Sequence, residues 1–485
     1  MGPRRLLPLA LALVLSVAPR AQREAPLAIR NVTVVDVNKG ALVPDRTVLV
    51  VGTRIHSVGH ADTVAVPLDA DVIDGAGGYL MPGLVDAHVH LFNNVSRRPP
   101  NTWALPLFVA HGVTGVREMW TETASLPEVD RWRRGVVNGD SIAPRPLAVG
   151  ALVEGTGVRI PNMPVVGTPA EGRRFVREAF EAGFDFVKVY SHLAPDVYAA
   201  IVEEAREVGL PVDGHVPLRV RAVAAARAGQ RTNEHLQQVR EACTTIEDRL
   251  IEERQAFYGN PYDDEAEWPF LDAQVHDTSA AFDEPTCTRV ARALAEAGQW
   301  QVPTLSNERG WFFGPAPGWD RDPQLIALPP SERAVWERSA EGGGETYVGD
   351  SLSLRRGWDA TLRVVGVLGR ERAGVLVGTD YGNPFVFPGA SVHDEMALLV
   401  EAGLTPLQAL RGATINPALA FGLADSLGTV EAGKLADLVL LDADPLDRIS
   451  NTRMIRAVVL GGRVLRRLDL DAILEGRHPF PELRR

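Results

Sequence analysis

The middle of the chain repeats one pattern, in which a segment with helical spacing of apolar residues ends in glycine and a short apolar stretch follows. The pattern occurs at Gly183 before FDFVKVY, at Gly209 before LPVDGHV and at Gly374 before VLVGTD. Glycine suits the position after a helix because it enters the left-handed region without a Cβ clash. Together with an apolar stretch at 83–90 and the segment PRPLAVG, the pattern predicts eight βα units, and therefore an α/β fold built on a (β/α)8 TIM barrel.

Both ends of the chain have a sequence pattern different from that of the middle, with short runs rich in β-forming residues separated by glycine and aspartate. These runs predict a small β-sandwich to which residues 22–80 and 425–485 contribute, whereas residues 81–424 form the barrel. Two connections in the barrel, about 237–298 and 308–370, are long enough to be insertions. At 485 residues, the chain can bury the core of one large domain and of a smaller one.

The first residues are expected to lie outside the fold. Arg4 and Arg5 precede an apolar stretch from Leu6 to Ala18, and a small-residue exit follows near Ala21. This pattern is typical of a secretory signal over residues 1–21, which predicts a periplasmic or secreted protein. The stretch is short for a bilayer-spanning helix, so no membrane span is expected in the mature chain, and a membrane anchor is the alternative.

Charge and cysteine content exclude two other classes of site. A net charge of −12 argues against a nucleic-acid partner, which would require a basic face. The chain has only two cysteines, Cys243 and Cys287, so a metal site built from several thiolates is excluded. The two cysteines can form a disulfide in an exported protein, and a pair of free thiols is the equal alternative. The expected partner is a small molecule, and the sequence leaves open a homo-oligomer.

A set of metal-binding residue types falls at the ends of the predicted strands. His88 and His90 stand two apart in MPGLVDAHVHL, so both rings project to one face of a strand. The other members lie at equivalent positions near the carboxyl ends of their predicted strands, which form the rim where barrel enzymes build their active sites. They are Lys188, His215, His235 and Asp380. Four neutral imidazoles and a carboxylate suit zinc, and they exceed the three ligands of one catalytic zinc, which indicates two metal ions.

Lys188 is the unusual member of this set, because an ammonium group beside two cations is strongly disfavoured. Its neutral amine could react with carbon dioxide to give a carbamate, which would act as a negatively charged bridging ligand between the metal ions. The alternative is an unmodified cation that binds an anionic substrate.

The motifs GLVDAHVH, FDFVKVY, DGHV, NEHL and VGTD resemble those of the amidohydrolase superfamily, and more narrowly its imidazolonepropionase-like and Xaa-Pro-dipeptidase-like (prolidase-type) members. The stretch from AGLTPLQAL to LVLLDADPL is similar to the superfamily's usual ending, so the resemblance covers nearly the whole chain after residue 21. The resemblance implies a barrel with a small β-sandwich and a binuclear site bridged by N6-carboxylated Lys188. This lysine distinguishes the chain from the mononuclear imidazolonepropionase arrangement, which lacks it.

The resemblance further implies the ligands of each metal ion. One ion would take His88, His90 and Asp380, and the other would take His215 and His235. From metal chemistry, a metal-bridging hydroxide would attack a carbonyl with Asp380 as the general acid/base, and a plain ligand role for Asp380 is the alternative. The predicted activity is hydrolysis of a C–N amide bond in dipeptides or N-acyl amino acids. Hydrolysis of a cyclic amide or lactone at the same binuclear site is the alternative.

Three further residues at the rim are predicted to contact the substrate: Tyr190, His192 and Arg117. Tyr190 lies on the Lys188 face by the period of two. In the resembling peptidases a tyrosine here contacts substrate, so Tyr190 is predicted to be catalytic by polarising the carbonyl, or to hold a substrate carboxylate; a packed aromatic ring is the alternative. Arg117 ends the second strand and could bind a substrate carboxylate, and a structural pair with Glu118 is at least as consistent with the sequence.

The remaining histidines and the insertions carry weaker signals. His111 is expected to cap a helix or pack in the core, His393 to lie in a loop without a role, and the others to be solvated: His56, His60, His276 and His478. The insertions carry six large aromatic residues, which could wall an apolar pocket or form a satellite core: Trp268, Trp311, Phe312, Phe313, Trp319 and Trp336.

Overall fold

The computed structural model describes residues 25–92, 100–157, 162–259, 264–343 and 347–477. The predicted signal segment 1–21 and His478 lie outside the described residues. The strands are, in chain order, β1 (Leu27–Asp36), β2 (Ala41–Val51), β3 (Arg54–His60), β4 (Asp71–Asp74), β5 (Tyr79–Pro82), β6 (Leu84–Val89), β7 (Val113–Glu118), β8 (Arg145–Val153), β9 (Phe186–Val189), β10 (Val212–Gly214), β11 (Thr232–Glu234), β12 (Trp300–Val302), β13 (Gly374–Val375), β14 (Leu438–Leu441), β15 (Ile455–Leu460) and β16 (Arg463–Arg466).

The α-helices are, in chain order, α1 (Leu105–Ala110), α2 (Leu126–Asn138), α3 (Pro169–Ala182), α4 (Pro195–Val208), α5 (Ala222–Ala228), α6 (Val239–Ala242), α7 (Glu247–Tyr258), α8 (Asp264–Ala280), α9 (Glu284–Glu296), α10 (Leu305–Phe313), α11 (Pro330–Arg338), α12 (Ser351–Arg370), α13 (Ala390–Glu401), α14 (Pro406–Gly412), α15 (Ile415–Ala420) and α16 (Arg467–Leu474). Short 3₁₀ turns lie at Thr102–Ala104, Thr123–Ser125, Trp319–Arg321, Pro323–Ala327 and Ile449–Arg453. In the described ranges, no helix is both long enough and apolar enough to cross a bilayer.

Strands from both ends of the chain share one mixed sheet, in the order β16–β15–β14–β5–β1–β2–β3, with β4 also paired to β1. The C-terminal strands meet the N-terminal strands where β14 runs antiparallel to β5, with Leu440 opposite Leu80. Both residues are buried in one apolar cluster together with Ile29, Val48 and Val459 of neighbouring strands. The two ends of the chain therefore build a common apolar core, because each half of the sheet covers side chains of the other.

Eight of the described strands, β6 to β13, run parallel to their neighbours in two sheets. The larger sheet has the order β10–β9–β8–β7–β6, and the smaller sheet has the order β11–β12–β13. Backbone hydrogen bonds link the sheets on both sides, since Arg231 N–H donates to the Val212 carbonyl at 2.7 Å and Ala87 N–H donates to the Val377 carbonyl at 2.8 Å. Helices connect most successive strands, which is the α/β arrangement that the repeated pattern predicts.

The helix ends explain why the pattern is visible in the sequence. Gly183 and Gly209 follow α3 and α4 with φ angles of 87° and 79°, in the left-handed region that glycine adopts without strain. Helix α3 begins with a capping box, in which Thr168 accepts from the Glu171 N–H and Glu171 accepts from the Thr168 N–H. These local signals place the start of the following strand, and with it the side chains at its carboxyl end.

The two predicted insertions are helical and follow β11 and β12. The first contains α6 to α9, and the second contains α10 to α12. Among the aromatic residues, Phe312 and Trp336 are buried, and the Phe312 ring centroid lies 6.0 Å from that of Trp358. Trp268 and Phe313 are 38% and 40% exposed. The structure therefore divides this set, with some rings packed between helices of the insertions and others facing outward.

Cys243 and Cys287 form a disulfide that joins α6 to α9 across 44 residues of sequence. Closing a loop of this length restricts the unfolded chain by about 4 kcal/mol in the chain-entropy account. We expect replacement of both cysteines by alanine to lower the free energy of unfolding by roughly this amount, measured by denaturant titration. Wild-type protein unfolded with reductant should match the double variant. A double variant as stable as the oxidised wild type would contradict the expectation.

Candidate metal centre

His88, His90 and Asp380 come together at the carboxyl ends of the first and last parallel strands. Strand β6 ends at Val89, between the two histidines, and Asp380 follows β13. The Asp380 Oδ1 atom lies 3.2 Å from His88 Nε2 and 3.1 Å from His90 Nε2. One ligand atom from each of these residues lies within 4.8 Å of the others, which is a spacing that a single metal ion can bridge.

The other three predicted ligands surround this group. Lys188 lies in β9 with its Nζ atom 3.5 Å from His88 Nε2. His215 and His235 directly follow β10 and β11, and their ring centroids are 4.9 Å apart. The His235 ring centroid lies 4.8 Å from that of His88. All six side chains that the sequence selects therefore face one small volume at the ends of the parallel strands.

The backbone around this volume is strained and closely packed. His235 and Asp380 have φ angles of 57° and 61°, in the left-handed region that costs side-chain-bearing residues about 1 kcal/mol or more. A Cβ atom on Gly378 would lie 2.9 Å from His88 Cβ, and one on Gly382 would lie 2.8 Å from His90 Cβ. Such strain is concentrated at functional sites, because the surrounding structure must hold it in place.

Burial favours the neutral form of three histidines of the centre. Loss of solvation lowers the pKa of His90 to about 4 and that of His235 to about 3. It also holds the pKa of His215 well below its usual range. For Asp380, burial favours the neutral acid, but the surrounding histidines, first among them His88, outweigh it through charge interactions and hydrogen bonds and hold the pKa well below its usual range. Neutral imidazoles beside an ionised carboxylate are the protonation states that metal binding requires.

Lys188 is also shifted toward its neutral form. Its side chain is buried, and burial lowers the pKa of its amine to about 8 although Asp380 and Glu234 oppose the change. The Lys188 Nζ atom lies 5.4 Å from the centre of the Tyr190 ring. With this pKa, about a tenth of the amine is neutral and nucleophilic at pH 7, far more than in an ordinary lysine.

The structure gives Arg117 a structural position rather than the predicted contact with substrate. Its side chain is fully buried, and it donates from Nη2 to Glu234 at 2.9 Å and from Nη1 to Asp213 at 2.8 Å. The Nε–H donates to the Ala87 carbonyl at 2.6 Å. The physical reason is that two buried carboxylates need a buried cation. The alternative, a structural Arg–Glu pair, is formed, but with Glu234; Glu118 accepts from backbone N–H groups instead.

Glu234 orients His88 and is absent from the predicted set. Its Oε2 atom lies 2.8 Å from His88 Nδ1. Burial alone would raise the pKa of Glu234, but Arg117 and His88 outweigh it and lower the pKa to about 2. An ionised carboxylate only accepts, so Nδ1 carries a hydrogen. In a neutral imidazole the lone pair for a metal ion is then on Nε2, the atom that faces Asp380. The available signal was an acid on a buried strand, next to His235 in NEHL.

Asp86 holds together the segments that carry His88 and Asp380, and it too was not predicted. Its Oδ2 accepts from the Thr379 hydroxyl at 2.6 Å, and its Oδ1 accepts from the Thr379 N–H at 3.0 Å. The same Oδ1 accepts from the His88 N–H at 3.1 Å. Burial raises the pKa of Asp86 to about 6. Asp86 thereby fixes the distance between two predicted ligands that are far apart in sequence.

The second insertion brings two more polar contacts to the centre. Asn307 in α10 donates from Nδ2 to Asp380 Oδ2 at 2.9 Å. The Thr304 Oγ1 atom lies 2.7 Å from His235 Nδ1. The spacing of residues in the sequence does not identify Thr304 or Asn307 as part of the centre, because both reach it through the turn that follows β12.

A further observation indicates that these side chains fit a bound metal ion. His215 Nε2 is buried and has no hydrogen-bond partner among the described residues, while its Nδ1 lies 2.7 Å from Ser191 Oγ. His90 Nδ1 is likewise buried without a partner in that part of the chain. Buried polar atoms normally have partners, so an orphaned imidazole nitrogen beside other ligand atoms points to a cation.

Tyr190 and His192 lie beside the centre on the loop that follows β9. The Tyr190 ring centroid is 4.0 Å from that of His215. His192 contacts Glu154 through Nδ1 at 3.0 Å and Glu267 of α8 through Nε2 at 2.5 Å. His192 therefore links the rim to the first insertion. The substrate contacts expected of Tyr190 and His192 stay predictions.

The two carboxylates give His192 a measurable pH dependence. Burial lowers its pKa, but Glu154 and Glu267 outweigh burial and raise it to about 9, above the ordinary 6.5. The resulting stabilisation is complete below about pH 6.5 and is lost as the pH rises through about 9. We expect the difference in unfolding free energy between wild type and His192→Gln to shrink by about 3 kcal/mol over that window. A difference that does not change with pH would contradict this expectation.

His393 lies in α13 and not in a loop, which corrects the prediction. Its Nε2–H donates to the His111 carbonyl at 2.9 Å, and its Nδ1 lies 2.9 Å from Thr452 Oγ1. The helix includes it because ASVHDEMALLVE buries apolar side chains at helical spacing. His111 is the C-terminal cap of α1, one of its two predicted roles. The other described histidines are at least partly exposed: His56, His60 and His276.

Parallel strands with a buried histidine–aspartate group at their carboxyl ends define an α/β protein with a candidate metal-binding centre. The sequence profile of the amidohydrolase family matches residues 79–465, which is most of the chain. The chain therefore belongs to the amidohydrolase family. This finding confirms the resemblance that its motifs indicate.

Individual relatives are similar over nearly the whole chain. The adenine deaminase of Rubrobacter xylanophilus is 25% identical over 476 residues, which are 94% of this chain and 61% of the relative. The chain thus spans about three fifths of the length of that protein. Among solved structures, a bottromycin amidohydrolase has a TM-score of 0.71 and 26% identity, and the match covers 93% of this chain and 89% of that chain. A Xaa-Pro dipeptidase with bound methionine in the active site has a TM-score of 0.62 and 18% identity, and the match covers 91% of this chain and 100% of that chain.

Proposed function

We propose that this protein is a metal-dependent hydrolase of C–N amide bonds that acts on dipeptides or N-acyl amino acids. The observation that carries the proposal is the compact group of His88, His90 and Asp380, with Lys188 Nζ 3.5 Å from His88 Nε2. Buried, neutral imidazoles with an ionised carboxylate at a strand end are the requirements of a catalytic metal site. Membership of the amidohydrolase family supports hydrolytic chemistry.

We also infer that β6 to β13 close into a (β/α)8 TIM barrel and that the mixed sheet belongs to a separate β-sandwich. The hydrogen-bonded junctions between the two parallel sheets support closure. The separate apolar cluster of the mixed sheet supports the second domain. The proposed boundaries are residues 81–424 for the barrel, with residues 22–80 and 425–485 for the sandwich. Closure of the barrel would place all the proposed metal ligands at the rim formed by the carboxyl ends of its strands.

The residues of the centre fit two divalent metal ions, for which we propose zinc. His88, His90 and Asp380 would hold one ion, and His215 and His235 would hold the other. When bound, such ions supply a water molecule of lowered pKa and polarise a carbonyl group. The orphaned His215 Nε2 and the low pKa values of the histidines support this assignment.

Asp380 is the general acid/base in this proposal. Asn307 donates to Oδ2, so Oδ1 is directed toward His88 and His90. The carboxylate is held ionised, so it can take a proton from water and pass it to the leaving amine. Tyr190 and His192, on the neighbouring loop, are the proposed substrate contacts.

We further propose that Lys188 is carboxylated. The neutral Nζ amine attacks carbon dioxide, an N–C bond forms, and one amine proton leaves to solvent. The product is a carbamate with a charge of −1. This change replaces a cation beside two metal positions by an anion, so the repulsion between lysine and metal becomes attraction.

Replacing Lys188 by alanine is expected to remove at least one metal ion per chain and to lower turnover at least about 100-fold. The reason is that alanine supplies no bridging oxygen. Metal content by elemental analysis and turnover of the best substrate are the measurements, with Lys39→Ala, an exposed lysine, as the control. Added short carboxylic acids should restore part of the activity. A variant with wild-type metal content and turnover would refute the bridge.

Hydrolysis of cyclic amides or lactones at the same centre is the second candidate. An imidazolonepropionase of Sphingopyxis alaskensis that is 40% identical over 68 residues favours it, because the imidazolone in that enzyme's name is a cyclic amide. A panel of dipeptides, N-acyl amino acids, cyclic amides, lactones and adenine, offered to the zinc-loaded protein, separates the candidates. Turnover of the linear amides is expected. Rapid lactone or cyclic-amide turnover without any linear amide cleavage would favour the second candidate.

Export is a further proposal, supported by the pattern of residues 1–21. A periplasmic or secreted enzyme would meet small-molecule amides outside the cytoplasm. Cell fractionation with and without residues 1–21 tests the proposal. Recovery of the full chain only from the cytoplasm would oppose export.

A further inference from the structure

We propose that Thr304 is a positioning residue that fixes the ring of His235 for metal binding, an inference that rests on the proposed function. Thr304 directly precedes α10, and its Oγ1 atom lies 2.7 Å from His235 Nδ1. The two residues follow β11 and β12, which are neighbouring parallel strands. Thr304 is outside the predicted ligand set, but it touches one of its members.

The hydrogen bonds of Thr304 define which nitrogen of His235 carries a hydrogen. The Thr304 hydroxyl donates to the Pro303 carbonyl at 2.8 Å, and a carbonyl can only accept. A hydroxyl has a single hydrogen, so the Thr304 oxygen must act as acceptor toward His235. His235 Nδ1 therefore donates. In a neutral imidazole the lone pair for a metal then lies on Nε2.

The start of α10 explains why the Thr304 hydroxyl is free for this task. A threonine before a helix normally accepts a hydrogen bond from the second or third N–H of that helix, but Thr304 makes no such bond. Glu395 of α13 does so instead, accepting from the Leu305 N–H at 2.9 Å and the Ser306 N–H at 2.7 Å. Because a buried carboxylate satisfies the helix terminus, the hydroxyl can serve His235.

Thr304 also holds an unfavourable backbone conformation. Its φ angle of 50° lies in the left-handed region, where β-branched residues are rare. Glycine would adopt this conformation without strain. A strained threonine is expected to persist where its side chain is required. Stability and metal binding should therefore respond in opposite directions to replacement of Thr304 by glycine.

Zinc binding by the metal-stripped full chain, measured by competition with a chromogenic chelator, tests the proposal. Thr304→Val keeps the β-branched shape but not the hydroxyl, and should weaken binding of the ion held by His235 about 10- to 100-fold. Thr304→Ser keeps the hydroxyl and should stay within about threefold of wild type. Thr304→Gly should bind zinc as weakly as the valine variant, while the metal-free protein melts at or above the wild-type temperature.

Thr361→Val is the matched control, because it removes a buried hydroxyl whose hydrogen bond among the described residues stays within α12, to the Gly357 carbonyl. It should leave zinc affinity unchanged. Wild-type affinity in Thr304→Val, or equal losses in the valine and serine variants, would overturn the proposal. Wild-type protein that binds no zinc would overturn both this proposal and the proposed function. The expected order of zinc affinities without any amide hydrolysis would support the role of Thr304 and contradict the proposed function alone.

Discussion

Asp380→Asn is expected to lower the turnover of any amide substrate by about three orders of magnitude or more. Asparagine keeps the shape of the side chain, but it cannot take up a proton and carries no charge. Its amide has only one oxygen, so it either loses the hydrogen bond from Asn307 Nδ2 or turns an NH2 group toward His88 and His90. The measurements are kcat, kcat/KM and metal content with the best substrate of the panel.

Metal content separates the two roles left open for Asp380. An asparagine variant that retains metal but loses turnover supports proton transfer, whereas loss of both supports a plain ligand. Asp394→Asn is the matched control, because Asp394 lies at the surface on α13 and pairs with Arg453 at 2.6 Å. Turnover of the Asp380 variant at the wild-type level would remove Asp380 from the mechanism.

Arg117→Met is expected to lower the free energy of unfolding by about 3 to 5 kcal/mol. The substitution leaves Glu234 buried and ionised without its main counter-ion, whereas Asp213 retains Arg231 at 2.6 Å. Methionine is apolar and of similar length, so lost packing adds little. Denaturant titration measures the effect. Arg174→Met, at a largely exposed position, should change stability by less than about 0.5 kcal/mol.

Substrate comparison distinguishes the structural role of Arg117 from the contact that the sequence predicts. If Arg117 only supports Glu234 and His88, its loss should reduce kcat/KM equally for substrates with and without a free carboxylate. A stable Arg117 variant with a selective rise in KM for carboxylate substrates would restore the predicted contact.

The residues that meet at the candidate centre could be predicted because each depends on local signals. A glycine at the end of a helix marks where the next strand begins. The length of that strand then determines which residue lies at its carboxyl end, as for Lys188 and His215. His88 and His90 follow from the period of two in a strand. None of these inferences requires knowledge of which distant segments meet.

The supporting residues depend on contacts between distant segments, so the sequence does not reveal them. Asp86 acts through Thr379, and Thr304 acts through His235. Arg117 was placed on the substrate side because a strand pattern gives alternation but not the identity of the side chains across the interior. Its partners Glu234 and Asp213 belong to other strands.

The mixed sheet has a consequence for synthesis of the chain on the ribosome. Tyr79 in β5 pairs with Leu441 in β14, so this contact spans 441 − 79 = 362 residues. At typical translation rates, β5 emerges roughly 20 to 70 s before its partner exists. During that interval β5 lacks its β14 neighbour, and an unpaired strand edge is where strands of different nascent chains can join. Slow translation or early truncation should therefore favour aggregation seeded by the N-terminal strands.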